Sequence, residues 1–123
     1  MKVDPLEMTM LFDFYGDVLT DKQKDSFDLY YNQDLSLAEI AEHSGITRQG
    51  VRDVILRATE MLTEMEEKLG LLALHRSIRA ALSEIKESAV SIEGVNHQYY
   101  GNAAIRIAAQ RIQTLAGDVT AKV

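Results

Sequence analysis

The sequence predicts an all-α protein in two parts, a helical head over residues 1–70 and a C-terminal helical element over residues 71–123. Three observations carry that prediction. Apolar residues recur at three- and four-residue spacing almost throughout, and no stretch alternates polar and apolar for more than a few residues. Two capping pairs, Thr20 with Gln23 and Ser36 with Glu39, stand directly ahead of apolar-periodic runs.

Asp4 is placed to cap the first helix, with Pro5 at its first position, where the missing N–H is no loss. Met8, Leu11, Phe12, Tyr15, Val18 and Leu19 carry its apolar stripe to Leu19, and Met10 and Phe14 widen it. Gly16 weakens the middle by about 1 kcal/mol relative to Ala. Thr20 opens a second helix that turns Phe27, Tyr30 and Tyr31 inward and leaves at Asn32-Gln33-Asp34. Ser36 opens a short third helix through Leu37, Ile40 and Ala41, ended by Ser44-Gly45. Thr47 caps a fourth, which meets no breaker until Gly70 and carries Val51, Val54, Ile55, Ala58, Leu62, Met65 and Leu69. At 1.5 Å per residue it is roughly 35 Å long, so Leu62, Met65 and Leu69 are expected to project past the head.

After Gly70 the spacing becomes heptad-like through Leu71, Leu74, Ile78, Ala81, Ile85 and Ile92, with Ser88 breaking the series. Glu93 to Gly101 reads as a loop bounded by Gly94 and Gly101. Asn102 caps a last helix with Ile105, Ala108, Ile112 and Leu115 inward; Gly117 is expected to stop it, and Thr120 to Val123 to fray. Tyr99-Tyr100 is expected to be buried in this hairpin or in an interface rather than to stack on bases.

Composition narrows the function. The chain has 123 residues, 46% hydrophobic and 26% charged, which suits a folded domain rather than a disordered segment. It has no Cys, which excludes disulfide frameworks, thiolate metal sites and a Cys nucleophile together. His43, His75 and His97 are scattered without ligand spacing, and no Gly-rich phosphate loop or paired nucleophile and base stands out. No metal, cofactor or catalysis is expected. No apolar run approaches the ~20 residues of a membrane span. Met1-Lys2-Val3-Asp4-Pro5 lacks a secretory apolar core, so a cytoplasmic protein is expected. Residues 1–70 carry 7 basic and 15 acidic side chains, a balance of −8, while residues 71–123 carry 6 and 4, a balance of +2. Bulk attraction to phosphate is thereby excluded, and any nucleic-acid contact must come from a local basic cluster.

Leu37 to Leu56 supplies one. Ala41 is the small residue that two crossing helices need, Gly45 the turn residue that tolerates positive φ, and Ile46 the apolar plug behind the turn. Val51 and Val54 then face Leu37 and Ile40. This is a helix-turn-helix, whose second helix enters the major groove. Its solvent face follows from spacing as Thr47, Arg48, Gln49, Arg52 and Asp53. Arg48 and Arg52, one turn apart, suit guanine, and Gln49 suits adenine. Arg57, further along, suits a backbone phosphate, and Gly50 would allow close approach to DNA.

Thr20-Asp-Lys-Gln23, Leu29-Tyr-Tyr31, Asp34-Leu-Ser-Leu-Ala-Glu-Ile-Ala41 and Gly45-Ile-Thr-Arg-Gln49 resemble the YlxM family, small bacterial helix-turn-helix proteins similar to region 4 of sigma factors. The resemblance covers about residues 5–72 and is loose beyond Leu72. It implies a sigma-region-4-like head, double-stranded DNA as a partner and a link to the signal recognition particle pathway, because the family's genes neighbour that of the particle's GTPase. Thr47, Arg48 and Gln49 match; where the family often has Tyr, Asn and Lys this chain has Arg52, Val54 and Leu56, so no sequence preference carries over.

Two further expectations stand beside the DNA reading. Asp21, Asp25 and Asp28 form an acidic ridge with Asp13 and Asp17 nearby, either a solvated face or the docking face of an adaptor for signal recognition particle protein or RNA. Residues 58–116 carry more apolar surface than one hairpin conceals, which predicts a homodimer.

Overall fold

The computed structural model describes Lys2 and residues 4–123. The opening stretch read above for a secretory core includes Met1 and Val3, which lie outside the described residues. Every regular element among the described residues is helical. The chain forms two units, one ending at Leu72 and one running Ala73–Val123.

In the first unit, α1 (Pro5–Tyr15) begins at Asp4, whose carboxylate accepts from the Glu7 N–H at 3.4 Å. It stops four residues short of Leu19, because Gly16–Val18 tightens into a single 3-10 turn and Leu19 is extended. Val18 consequently leaves the buried stripe and is exposed, while Leu11, Tyr15 and Leu19 stay in the core. Both halves of the Thr20/Gln23 capping box form at the start of α2 (Asp21–Phe27). A wide π turn over Asp28–Asn32 follows, closed by the Asp28 carboxylate, which accepts from Asn32 Nδ2 at 2.7 Å and Gln33 Nε2 at 2.8 Å. The ring of Phe27 is fully buried, stacked between Phe12 at 4.7 Å and Tyr31 at 4.5 Å.

The head is completed by α3 (Leu37–Ser44) and α4 (Arg48–Leu69). Val51, Ile55, Ala58 and Leu62 of α4 are all fully buried, and Met65 packs on the same core. The sequence-based expectation that Leu62 and Met65 project past the head is therefore wrong. α1 packs along α4 and extends the core by two turns; of that trio only Leu69 is left exposed. Val54, expected to face α3, stays half-buried outside the core.

The end of α4 is tied to α1 by a clamp that no local pattern announces. Gly70 closes α4 in the left-handed conformation at φ 63°. Tyr15 then donates its hydroxyl to Glu66 Oε1 at 2.6 Å, Leu72 N–H donates to the same oxygen at 2.9 Å, and Leu71 N–H donates to Tyr15 Oη at 3.0 Å. Two of the unpaired N–H groups that open the next helix are thus satisfied. Tyr15→Phe strips this junction of its donor and acceptor and is expected to cost about 1–3 kcal/mol. Burial, and then the Glu66 carboxylate, hold the Tyr15 phenol above its ordinary value of 10.0. A raised pKa means the folded state holds its proton more tightly, so this contribution is intact below pH 10 and lost as pH rises through the folded value. Urea denaturation should therefore show wild type ahead of Tyr15→Phe at neutral pH and the gap narrowing above pH 10; equal stability at neutral pH would refute the clamp.

α5 (Leu71–Val95) carries the chain into the second unit, and α6 (Ala103–Lys122) returns antiparallel to it. The turn is not the loop expected from Glu93 to Gly101. α5 runs through Gly94 to Val95, a π turn covers Asn96–Tyr100, and Gly101 reverses the chain at φ 60°. Buried Asn96 holds this turn by donating to Asn102 O at 2.9 Å and accepting from Asn102 N–H at 3.0 Å. Glu93 accepts from Gln110 at 3.0 Å and from Gln113 at 2.7 Å, and these bonds outweigh the roughly 1 kcal/mol that Gly94 costs the helix. Gly117 likewise does not stop α6, and Thr120 to Lys122 remain helical; Arg79 donates to Thr120 O at 3.3 Å and Val123 O at 3.0 Å. The apolar residues buried in this unit are alanines, Ala89, Ala109 and Ala116. Tyr99 and Tyr100 are not buried in the hairpin, being 69% and 75% exposed.

Candidate nucleic-acid interface

The recognition unit is built from local chemistry. Ser36 and Glu39 form a complete capping box at the head of α3, and the bonds from Ser36 hold the Glu39 carboxyl below its ordinary range. Gly45 ends α3 at φ 69°, its N–H donating to Ala41 O at 2.9 Å. A Cβ there would meet nothing within 4 Å, so the backbone conformation and not crowding requires glycine. Ile46 plugs the turn, with Leu37 and Ala41 packed on fully buried Ile40, Val51 and Ile55. Thr47 Oγ1 accepts from Gly50 N–H at 2.9 Å and starts α4.

Gly50 also has a role inside the head. A Cβ at Gly50 would lie 3.1 Å from Thr47 Oγ1 and 3.6 Å from Ile46 Cδ1. It makes room for the cap and the plug, an internal reason that needs no DNA.

Thr47, Arg48, Gln49, Arg52, Asp53 and Arg57 are all exposed. Arg48, Arg52 and Arg57 have no ion pair or hydrogen bond among the described residues. Gln49 Nε2 donates to Asp53 Oδ1 at 3.0 Å, which fixes the amide plane and leaves its carbonyl and one N–H for an outside partner. At about 100° per residue, Arg57 lies roughly half a turn round the helix from Arg48. The two flank the Gln49–Asp53 face instead of extending one row.

Charge along α4 runs against the helix dipole. Helices favour anions in the first turn and cations in the last, by about 0.3–1 kcal/mol each. α4 has Arg48 and no acid in its first turn, and Glu66 and Glu67 beside Lys68 in its last. Helix stability therefore does not account for this distribution.

The acidic ridge is engaged in part within the head, while Asp13 and Asp21 pair with no side chain among the described residues. Asp17 pairs with Lys24 at 2.9 Å, Asp25 lies 3.9 Å from His43, and Asp28 closes the π turn. Among the described residues no three metal-ligating side chains gather, and no helix is long and apolar enough to cross a membrane.

A helix-turn-helix with this capping and this plug is the decisive geometry, and comparison with known proteins agrees with it. Residues 2–99 match the model of the UPF0122 family, described as YlxM / p13 like helix-turn-helix proteins. The chain belongs to the UPF0122 family. It is 49% identical over 87 residues to a UPF0122 protein of Caldanaerobacter subterraneus subsp. tengcongensis, covering 71% of this chain and 74% of that one. A UPF0122 protein of Thermoanaerobacter sp. strain X514 is 51% identical over the same shares, 71% and 74%. A shorter match, 58% identical over 65 residues, is to a UPF0122 protein of Acetivibrio thermocellus, with 53% of this chain and 56% of the relative covered. For this UPF0122 chain the matched region takes in the whole helix-turn-helix and all of α5, and ends before α6.

Proposed function

We propose that this chain is a DNA-binding regulatory protein that reads the major groove with the start of α4. The observation that carries the proposal is the set of exposed, unpaired arginines 48, 52 and 57 in a head rich in carboxylates. No carboxylate pairs with them among the described residues, and the helix dipole disfavours Arg48 where it stands. Arg48 and Arg52 are assigned to guanine edges, Gln49, held by Asp53, to adenine, and Thr47 and Arg57 to the phosphates flanking the groove. The signal recognition particle genes are the first targets to test, as the resemblance to YlxM proteins implies. The test is an anisotropy titration of labelled duplex from the chain's own operon at increasing salt. Affinity should fall with a log–log slope of about −1 per head, since Arg57 is the one charged side chain assigned to a phosphate and each phosphate neutralised contributes about −0.9. Absence of salt-dependent binding to any duplex overturns the reading.

A homodimer through the second unit belongs to the same proposal. Its buried apolar residues are alanines, while Leu74, Ile78, Ile85, Ile92, Ile105 and Ile112 remain between 36% and 56% exposed. Ile85, Ile92 and Ile112 line one shallow depression and Ile92 and Ile105 the next, so the exposed surface is continuous. A second copy would cover it and offer DNA two recognition helices. Light scattering should give twice the 13.8 kDa chain mass, and Ile85→Asp with Ile92→Asp should return it to one. A single-chain mass for wild type at micromolar concentration refutes the dimer.

A further inference from the structure

A groove on the head, away from the recognition residues, runs along α4 where α1 and the π turn pack beside it. It encloses about 520 Å³. Its floor is apolar, from Met8, Tyr31 and Leu56. Thr59 and Thr63 line it as well, and each hydroxyl is already donated to a helix carbonyl, Leu56 O and Thr59 O respectively, both at 2.8 Å. The rim is Glu60, Glu64 and Glu67, and no basic residue lines the groove.

The carboxylates have no stabilising role inside the head. All three are exposed, and none has an ion pair or hydrogen bond among the described residues. Arg57 and Lys68, at helical spacing from Glu60 and Glu64, form no bridge to them. Like charges three and four residues apart repel along a helix, and Glu67 sits in the last turn, where the dipole also disfavours an anion. The rim is therefore a strip of uncompensated negative charge bordering a carbon floor.

From this pairing of floor and rim we propose that the groove docks a basic amphipathic helix of a partner protein. Aliphatic residues at i, i+3 or i+4 and i+7 would fill the floor, and Lys or Arg on one flank would meet Glu60, Glu64 and Glu67. From Ile55 to Glu67 the groove is about 18 Å long, which accommodates a helix of roughly 12 residues. The charge excludes an acidic helix or a nucleic acid as occupant. The surface is distinct from Arg48, Gln49 and Arg52, so this proposal stands or falls separately from the DNA reading.

The experiment uses the full chain and a fluorescein-labelled peptide of about 14 residues, Leu on one helical face and Lys on the other, read by anisotropy and by methyl NMR. Saturable binding is expected, with shifts at Met8, Leu56, Thr59 and Thr63. Glu60→Gln/Glu64→Gln/Glu67→Gln should weaken it about tenfold, and more at low salt. Asp21→Asn/Asp25→Asn, which removes charge elsewhere on the head, should leave affinity within about twofold, as should Arg48→Ala/Arg52→Ala. A Lys peptide without the Leu face should bind at least about tenfold more weakly. Equal loss with the Asp21/Asp25 variant, or shifts that map to α5 and α6, would reduce the effect to bulk charge and overturn the proposal. The same methyl shifts appearing on concentration of the chain alone would assign the groove to a second copy and overturn it equally.

Discussion

Arg48→Ala/Arg52→Ala should abolish selective DNA binding while leaving the fold unchanged. Each bidentate arginine–guanine contact is worth about 1–3 kcal/mol, so the double variant should lose between roughly 30-fold and 25,000-fold at its best site. Neither side chain has a partner to lose among the described residues, so circular dichroism and thermal midpoint should hold. The midpoint should hold or rise slightly, because Arg48 leaves the positive end of α4. Arg57→Ala should behave differently. It should weaken all duplexes alike and reduce the salt slope by about 1, the signature of a phosphate contact. A folded double variant with wild-type affinity would remove the basis for assigning α4 to the major groove.

Phe27→Ala should be the most damaging single truncation in the head. Its ring is 0% exposed and is stacked on both faces, so substitution loses the transfer free energy and leaves a cavity between Phe12 and Tyr31. The expected cost is about 3–5 kcal/mol, out of a total that for a small domain is about 5–15 kcal/mol. In urea the midpoint should fall with the slope unchanged. DNA affinity should fall only in proportion to the unfolded fraction, which separates this variant from the arginine pair. Phe14→Ala, at a position 38% exposed, serves as the control and should cost far less. A Phe27→Ala midpoint within error of wild type would mean that the aromatic stack contributes nothing the head needs.

The recognition unit was legible in the sequence because each of its parts is specified within a few residues. Both capping boxes, the Thr47 and Asn102 caps and the left-handed Gly45 involve groups at most four positions apart. Exposure of Arg48, Gln49 and Arg52 follows from the burial of Val51 and Ile55 one helix face away. Where local propensity competed with hydrogen bonds between distant residues, the reading failed. Local propensity marks Gly94 and Gly117 as helix breaks, yet Glu93 reaches Gln110 and Gln113, and Arg79 reaches the last turn of α6.

What the sequence determined alone is therefore the all-α class, the helix-turn-helix and the face of α4 that meets solvent, since periodicity and capping are properties of neighbours along the chain. The partner of each helix face was decided only in three dimensions. Tyr15 and Glu66, 51 positions apart, meet because α1 lies along α4, and the same packing buries Leu62 and Met65 and brings Met8 to the groove rimmed by Glu60, Glu64 and Glu67. An apolar stripe states that a face must be covered without stating by what, because burial is non-directional and any complementary surface satisfies it.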